Sequence, residues 1–490
     1  MRTFRNSVRS GLALLVCVVS FGAFGLNSST MASGVWGQAA PAEFADGVQN
    51  EEFKEDSFSS VSCASAGNCT AVGQFKNVGG NSEAFTMTST DGVWGQATPA
   101  EFADGVQNDR PRDRFQSVSC GSAGNCTAVG YFRNAGYNKE AFTMTSTDGV
   151  WGQATPAVFA DGVASTDEAQ ARFVSVSCGS AGNCTAVGDF RNVGGSYEVF
   201  TMTSTDGVWG LATPAEFADG VQNEEFKEDS FSSVSCASAG NCTAVGQFKN
   251  VGGDYEAFTM TSTDGVWGQG TPAVFADGVQ GEDPYANFNS VSCASAGHCT
   301  AVGQFTNVDS NYEAFTMTST DGVWGQGTPA VFADGVQGEY KEASFYSVSC
   351  GSVGNCSAVG YFANVNENYE AFTMTSTDGV WGQATPVVFA DGVQYQSPSS
   401  ESFSVSCGSV GNCSAVGYFT DTDSNSEAFT MMSTYTPPAE TTTTVAATTT
   451  TVTQVTALPA TGSDSNGWLV AAMCAVITGT ILLTRRRRIS

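Results

Sequence analysis

One unit, with small changes, fills most of this chain. Its first full copy reads "FSSVSCASAGNCTAVGQFKNVGGNSEAFTMTSTDGVWGQATPAEFADGV". Trp36, Trp94, Trp151, Trp209, Trp267, Trp324 and Trp381 mark the spacing, in steps of 57 or 58 residues. A fixed period of this size means that one supersecondary unit is copied and stacked. So short a unit has little core of its own, so neighbouring copies must bury one another. The run at residues 50–80 recurs unchanged at residues 223–253.

Four short strands are expected in each unit, in the first full copy at residues 58–63, 69–75, 83–90 and 92–99. Each is rich in Val, Phe, Thr or Trp and is bounded by Gly, Asn, Asp, Ser or Pro. Asp91-Gly92 is a strong tight-turn signal between the last two. No helical periodicity interrupts the repeats. Four antiparallel strands repeated radially make a β-propeller. The expected fold is therefore all-β, a seven-bladed β-propeller of four-stranded blades.

The two ends of the array complement each other. The last copy supplies three strands and stops at "FTMMST", while the first fragment, from Gly34 onward, supplies only the fourth. Joined, they complete a seventh blade, which resembles the velcro closure of known propellers. A string of small domains forming a stalk is the alternative; such an array needs no split unit.

Each unit carries a C-x5-C pair: Cys63/Cys69, Cys120/Cys126, Cys178/Cys184, Cys236/Cys242, Cys293/Cys299, Cys350/Cys356 and Cys407/Cys413. The spacing sets both sulfurs at the mouth of the first hairpin, where they can bridge. Closing so small a loop contributes roughly 2 kcal/mol. Zinc competes poorly, because two ligands per unit do not complete a tetrahedral site. His298, the sole histidine, stands where other copies have Asn.

The first residues carry Arg2, Arg5 and Arg9, then an apolar run at 11–26 and small residues up to Ala32. That order reads as an export leader, residues 1–32. Near the other end come Leu458, Pro459, Ala460, Thr461 and Gly462, then an apolar stretch at 468–483 and four arginines at 485–488. This resembles the sorting signal of LPxTG-type Gram-positive surface proteins. The resemblance implies transient membrane insertion, cleavage by a sortase after Thr461, and attachment to a peptidoglycan precursor. The organisation expected is leader 1–32, propeller 33–434, a Thr/Pro/Ala-rich wall-spanning spacer 435–457 and sorting signal 458–490. Extended, that spacer reaches roughly 80 Å at about 3.3 Å per residue. The expected location is outside the cell, tied covalently to the wall, where disulfides persist.

Charge narrows the partners. Lys and Arg number 19 against 48 Asp and Glu, a formal charge of −29. Such a surface repels phosphate backbones, so nucleic acid is not an expected partner. The connection between the second and third strands varies among copies, as does the connection between units. Alternate connections of an up-and-down sheet emerge on the same side, so the two variable classes share one face. Variable loops on a constant scaffold suit recognition of an extracellular glycan or protein, as in an adhesin. All six arginines between the leader and the sorting signal lie in two neighbouring repeats: Arg110, Arg112, Arg114, Arg133, Arg172 and Arg191. They form the candidate ligand site, for an anion or carboxylate. A local salt-bridged surface with Asp104, Asp109, Asp113 and Glu140 is the competing reading.

The hairpin "STDGVW", with Ser89, Asp91, Gly92 and Trp94, resembles the Asp-box of sialidase-type propellers, although it is shorter between its fixed residues. In those families the box is a fold element. The acids Glu83 and Asp104 recur in nearly every copy, which reads as architecture. No Ser-His-Asp set is available. The expectation is therefore a binding protein and no enzyme, with an exported propeller glycoside hydrolase or a purely structural coat protein as alternatives. No cofactor is expected, although "DTDSNSE" at residues 421–427 places oxygen ligands at alternate positions and could take calcium.

Overall fold

The computed structural model describes residues 42–50, 55–165, 170–281, 284–338, 341–389, 399–422 and 426–433. The chain is an all-β, seven-bladed propeller with four-stranded blades, and the described residues contain no helix. In blade 1, β1 (Ser57–Ser65), β2 (Asn68–Lys76) and β3 (Ser82–Thr90) form an antiparallel meander. The fourth strand is broken into β4 (Val93–Trp94) and β5 (Thr98–Pro99), both paired with β3. The uninterrupted strand expected at 92–99 is not formed. Its middle turns to the incoming connection instead: Ala97 N–H donates to Glu43 O at 2.8 Å. The same elements recur through blade 6, and blade 7 shows Ser400–Ser409, Asn412–Thr420 and Ser426–Ser433.

The repeated turns explain the repeated letters. Asp91 and Gly92 both take positive φ, 50° and 84°, as a two-residue hairpin turn of matching twist requires. Gly92 N–H donates to Gly67 O at 2.8 Å. Ser89 Oγ donates to Gly67 O at 2.9 Å and accepts from Cys69 N–H at 3.1 Å. The "STDG" run thus stitches two constant turns together at one end of the blade. The variable connections meet at the other end, where Gln49 bridges Asn77 and Asp113 N–H donates to Ser82 O at 3.0 Å.

Each blade has an aromatic core that includes a residue from the preceding connection. In blade 2, Phe102, Phe115 and Phe132 surround Phe142 or one another at 4.7–5.9 Å between ring centroids. Val72 and Ala84 of blade 1 join this cluster with Val118. The "SVSC" motif links blades by hydrogen bonds: Val118 and Cys120 N–H donate to Ser60 and Ser62 Oγ at 3.2 and 3.0 Å. That ladder repeats to blade 7, where Val405 and Cys407 meet Ser347 and Ser349.

Seven disulfides join β1 to β2 and their counterparts: Cys63–Cys69, Cys120–Cys126, Cys178–Cys184, Cys236–Cys242, Cys293–Cys299, Cys350–Cys356 and Cys407–Cys413. The pairing is as the spacing predicts, but the setting differs from an open hairpin mouth. In blades 2 to 6 the second cysteine belongs to the core: Cys126, Cys184, Cys242, Cys299 and Cys356 are only 2–4% exposed. Blade packing is the reason. Thr70 Oγ1 of the preceding blade lies 3.4 Å from Cys126 Sγ, and Thr127 Oγ1 lies 3.5 Å from Cys184 Sγ. Thr185, Thr243 and Thr300 cover Cys242, Cys299 and Cys356 in the same way, at 3.4–3.5 Å. Their first-strand partners stay half-buried, as does Cys69 in blade 1. These cysteines are therefore packing elements of the scaffold, set beside the constant turns and away from the variable loops.

The faces at the two ends of the array differ from the internal ones. Phe58 is 50% exposed, whereas its counterparts Phe115, Phe173 and Phe288 are fully buried. Val416 is 41% exposed, against 0% for Val72, Val129 and Val187. Blades 1 and 7 therefore leave uncovered the surfaces that internal blades bury. The strand expected to close the ring, residues 34–41, lies outside the described residues, as do the leader, the spacer and the sorting signal.

Candidate functional site

Within nearly uniform strands, a few positions differ from blade to blade. They lie at the variable end. One is the residue after the invariant glycine of the second strand: Gln74, Tyr131, Asp189, Gln247, Gln304, Tyr361 and Tyr418. It faces a residue in the first two positions of the first strand, as in Arg114 with Tyr131, Arg172 with Asp189 and Glu401 with Tyr418. A further position opens the third strand: Lys139, Tyr197, Tyr255, Tyr312 and Tyr369 in blades 2 to 6. The glycine matters here. At Gly130 an added Cβ would lie 1.9 Å from Arg114 O, so only glycine lets the first strand approach the second where Tyr131 begins.

Two adjoining depressions open between blades 2, 3 and 4. The first, about 640 Å³, is lined by Arg112, Tyr131, Arg133, Tyr137, Lys139 and Gln170, with Asn138. The second, about 430 Å³, shares Lys139 and Gln170 and adds Arg172, Asp189, Tyr197, Glu228, Asp229 and Tyr255. The structure therefore brings three of the six arginines together. Arg114 Nε instead turns to Ser59 Oγ at 3.4 Å, Arg191 lines a separate hollow, and Arg110 lines neither depression.

The salt-bridged surface weighed against this site is not formed among the described residues. Asp109 accepts from Tyr137 Oη at 2.8 Å, Asp113 from Gln107, and Glu140 from Asn134 at 2.6 Å. Arg172 does pair, with Asp189 at 2.7 Å. Lys139 Nζ sits 4.1 Å from the Tyr131 ring centroid, a cation–π geometry. Burial lowers its pKa, and Arg172 and Arg133 push the same way. Burial raises Asp189, against the pull of Arg172.

Tyrosines continue the site around the face. Tyr255, Tyr285 and Tyr312 follow edge to face at 6.2 and 5.7 Å. Tyr346, Tyr361 and Tyr369 follow at 5.3 Å steps, the first pair tilted and the second edge to face. Several hydroxyls are tied to acids, Tyr255 to Glu228, Tyr369 to Glu342 at 2.7 Å, and both Tyr346 and Tyr418 to Glu401, while Tyr197 and Tyr285 reach Gln170 and Gln247. The hydrogen bond to Glu228 pushes Tyr255 up to about 12, and burial brings Tyr361 to about 12. Beneath the loops, burial pushes Asp113 up to about 8 and Asp229 to about 7. Each is held by a glutamine, Gln107 and Gln222.

Loop variation pointed to the face but missed the tyrosine belt. The signal was present as single-letter changes inside "TAVGxF" and before "EAF". The recurring Glu83 accepts from Asn77 at 2.6 Å and is a fold element. Of the acidic run at 421–427, residues 423–425 lie outside the described residues.

Fold and site together define a disulfide-stitched β-propeller with an aromatic, locally cationic loop face. No protein-family model matches the chain, and no curated protein matches it. Solved structures do. The Hadza microbial sialidase Hz136 aligns at 10% identity and a TM-score of 0.36, covering 72% of this chain and 73% of its own. A Penicillium chrysogenum α-L-arabinanase complexed with arabinobiose aligns at 11% and 0.35, over 68% and 94%. A PL25 ulvan lyase aligns at 10% and 0.39, over 76% and 90%. These are similarities of fold, and the activities belong to those proteins. They nevertheless correct one expectation. The absence of a triad argued for no enzyme, yet these solved propellers are catalysts, so that expectation is withdrawn.

Proposed function

We propose that this chain is an extracellular glycan-engaging propeller, displayed on a Gram-positive cell wall through Thr461. The observation that carries the proposal is the belt of tyrosines at the positions where the blades differ. Tyr197, Tyr312 and Tyr369 are 37, 43 and 36% exposed. A tyrosine ring held by its hydroxyl offers a rigid apolar face with a polar rim, at low entropic cost. Pyranose rings present matching C–H faces and hydroxyl edges. The seven disulfides and the LPATG run support the location. A glycan array probed with the full-length chain, with and without calcium, tests the reading. Tyr255→Ala with Tyr312→Ala is expected to weaken the strongest signals at least tenfold. Unchanged signals, or none at all, reject it.

One observation favours catalysis at the same place. Asp229, at about 7, shares a depression with Glu228, Tyr255 and Arg172. A carboxyl that keeps its proton near neutrality is suited to donate it. Release of reducing ends from any array ligand, lost in Asp229→Asn, supports this reading; intact ligand after long incubation ends it.

The same proposal includes closure of the ring. Val61 and Cys63 offer the N–H positions of the ladder, and Ser404 and Ser406 offer the hydroxyls. Residues 34–41 complete blade 7 and bring these ends together.

A further inference from the structure

We infer that the depression at Arg112, Arg133 and Lys139 binds a negatively charged sugar unit, carboxylated or sulfated, within an acidic polysaccharide. The inference deepens the glycan reading above and rests on it. Three separate features converge on this hollow.

The first is unspent charge. On a chain of formal charge −29, neither Arg112 nor Arg133 makes an ion pair among the described residues, and Lys139 packs on a ring instead of an acid. Acids of the same two blades are engaged elsewhere: Asp109 with Tyr137, Asp113 with Gln107, Asp189 with Arg172. Two such guanidinium forks match the paired oxygens of a carboxylate or sulfate.

The second is substitution pattern. At the six lining positions of blade 2, blade 4 has Glu228, Gln247, Lys249, Gly253, Asp254 and Tyr255 in place of Arg112, Tyr131, Arg133, Tyr137, Asn138 and Lys139. The second and third strands otherwise read alike in both blades, while the first also differs at Arg114/Ser230, Gln116/Ser232 and Gly121/Ala237. These six changes all line one hollow of about 640 Å³, large enough for a sugar ring.

The third is strain. Tyr137 holds φ at 67°, in a loop position filled in other blades by Gly80, Gly195 and Gly253 and, at 62° and 60°, by Ser310 and Glu367, so blade 2 alone of these sets an aromatic ring there. A bulky residue there is unfavourable, and such residues cluster at ligand sites. Its hydroxyl is fixed on Asp109 at 2.8 Å and its ring, 53% exposed, walls the hollow.

The test uses the immobilised full-length chain, wild type and Arg112→Ala with Arg133→Ala. The probes are polygalacturonate, dextran sulfate, neutral dextran and duplex DNA. Expected is retention of polygalacturonate or dextran sulfate, whichever anion the site takes, weakened at least tenfold in the double variant. Neutral dextran and DNA should bind more weakly and alike in both proteins. Equal retention of the acidic glycans by both proteins overturns the inference, as does DNA binding as tight as either. Binding of neutral glycans alone overturns this inference and leaves the tyrosine-belt reading standing. Failure of every glycan, including those on the array, ends both.

Discussion

Ser62 Oγ lies 3.0 Å from the amide nitrogen of Cys120 in the next blade and accepts its hydrogen. The same contact joins Ser119 to Cys178 at 3.0 Å and Ser177 to Cys236 at 2.9 Å. The serines of "SVSC" are thus the hydrogen-bonding seam of the propeller. Replacing one strands a half-buried N–H, a loss of about 1–2 kcal/mol. Ser119→Ala should lower the urea midpoint accordingly, and Ser119→Thr should recover part of it. A variant as stable as the parent would reduce the ladder to a bystander.

Closure of the ring can be read from one phenylalanine. Phe115→Ala removes a fully buried ring and should cost about 3–5 kcal/mol. If blade 7 covers blade 1 in solution, Phe58→Ala costs nearly as much. The expected result is a loss within about 1 kcal/mol of the Phe115 variant, measured by denaturant unfolding. A near-neutral Phe58→Ala would mean that this face stays half exposed and the ring stands open.

Stability should fall as pH rises through neutrality. Asp113 and Asp229 are raised by burial to about 8 and about 7, from 3.8. Folded, each keeps a proton that the unfolded chain releases above pH 3.8. The native state therefore binds more protons across this window, and unfolding becomes easier as pH climbs toward 8. Below 3.8 both states are protonated and the effect vanishes. Asparagine mimics the protonated acid, so Asp113→Asn with Asp229→Asn should flatten the fall in Tm between about pH 5 and about pH 8.5. An equally steep fall in that double variant would assign the trend to general charge repulsion.

The scaffold was legible in the sequence because its constraints are local and repeated. Gly92 needs its positive φ, the C-x5-C pair needs a hairpin, and Phe85 needs a core, in one blade after another. The break in the fourth strand was not legible, because Ala97 leaves its ladder for Glu43, a distant partner set only by blade packing. The burial of Cys126 was hidden for the same reason, since Thr70 of the neighbouring blade covers it. The site was half legible. Arg112 and Arg133 stood out by composition, but their meeting with Tyr131 and Lys139 depends on which strand positions face the same hollow. Arg110 and Arg114 carried the same signal and do not line it.

The last prediction contrasts two glycines. Gly130 faces Arg114 O, and an added Cβ would sit 1.9 Å from it, inside any real contact distance. Both atoms belong to paired strands, so neither can yield without breaking the ladder between Phe115 and Gly130. Gly152 is different: its added Cβ would meet Thr145 O at 3.5 Å, an ordinary contact. Gly152→Ala should therefore change stability by no more than about 1 kcal/mol, and restricting the unfolded chain could even favour folding. Gly130→Ala should cost well over about 3 kcal/mol or prevent folding, as overpacking against backbone does. Soluble yield and urea midpoint of the two variants, measured side by side, decide the matter. Equal tolerance would mean that the close approach holding Tyr131 and Arg114 across from each other is slack, and that the cationic hollow lacks a rigid floor.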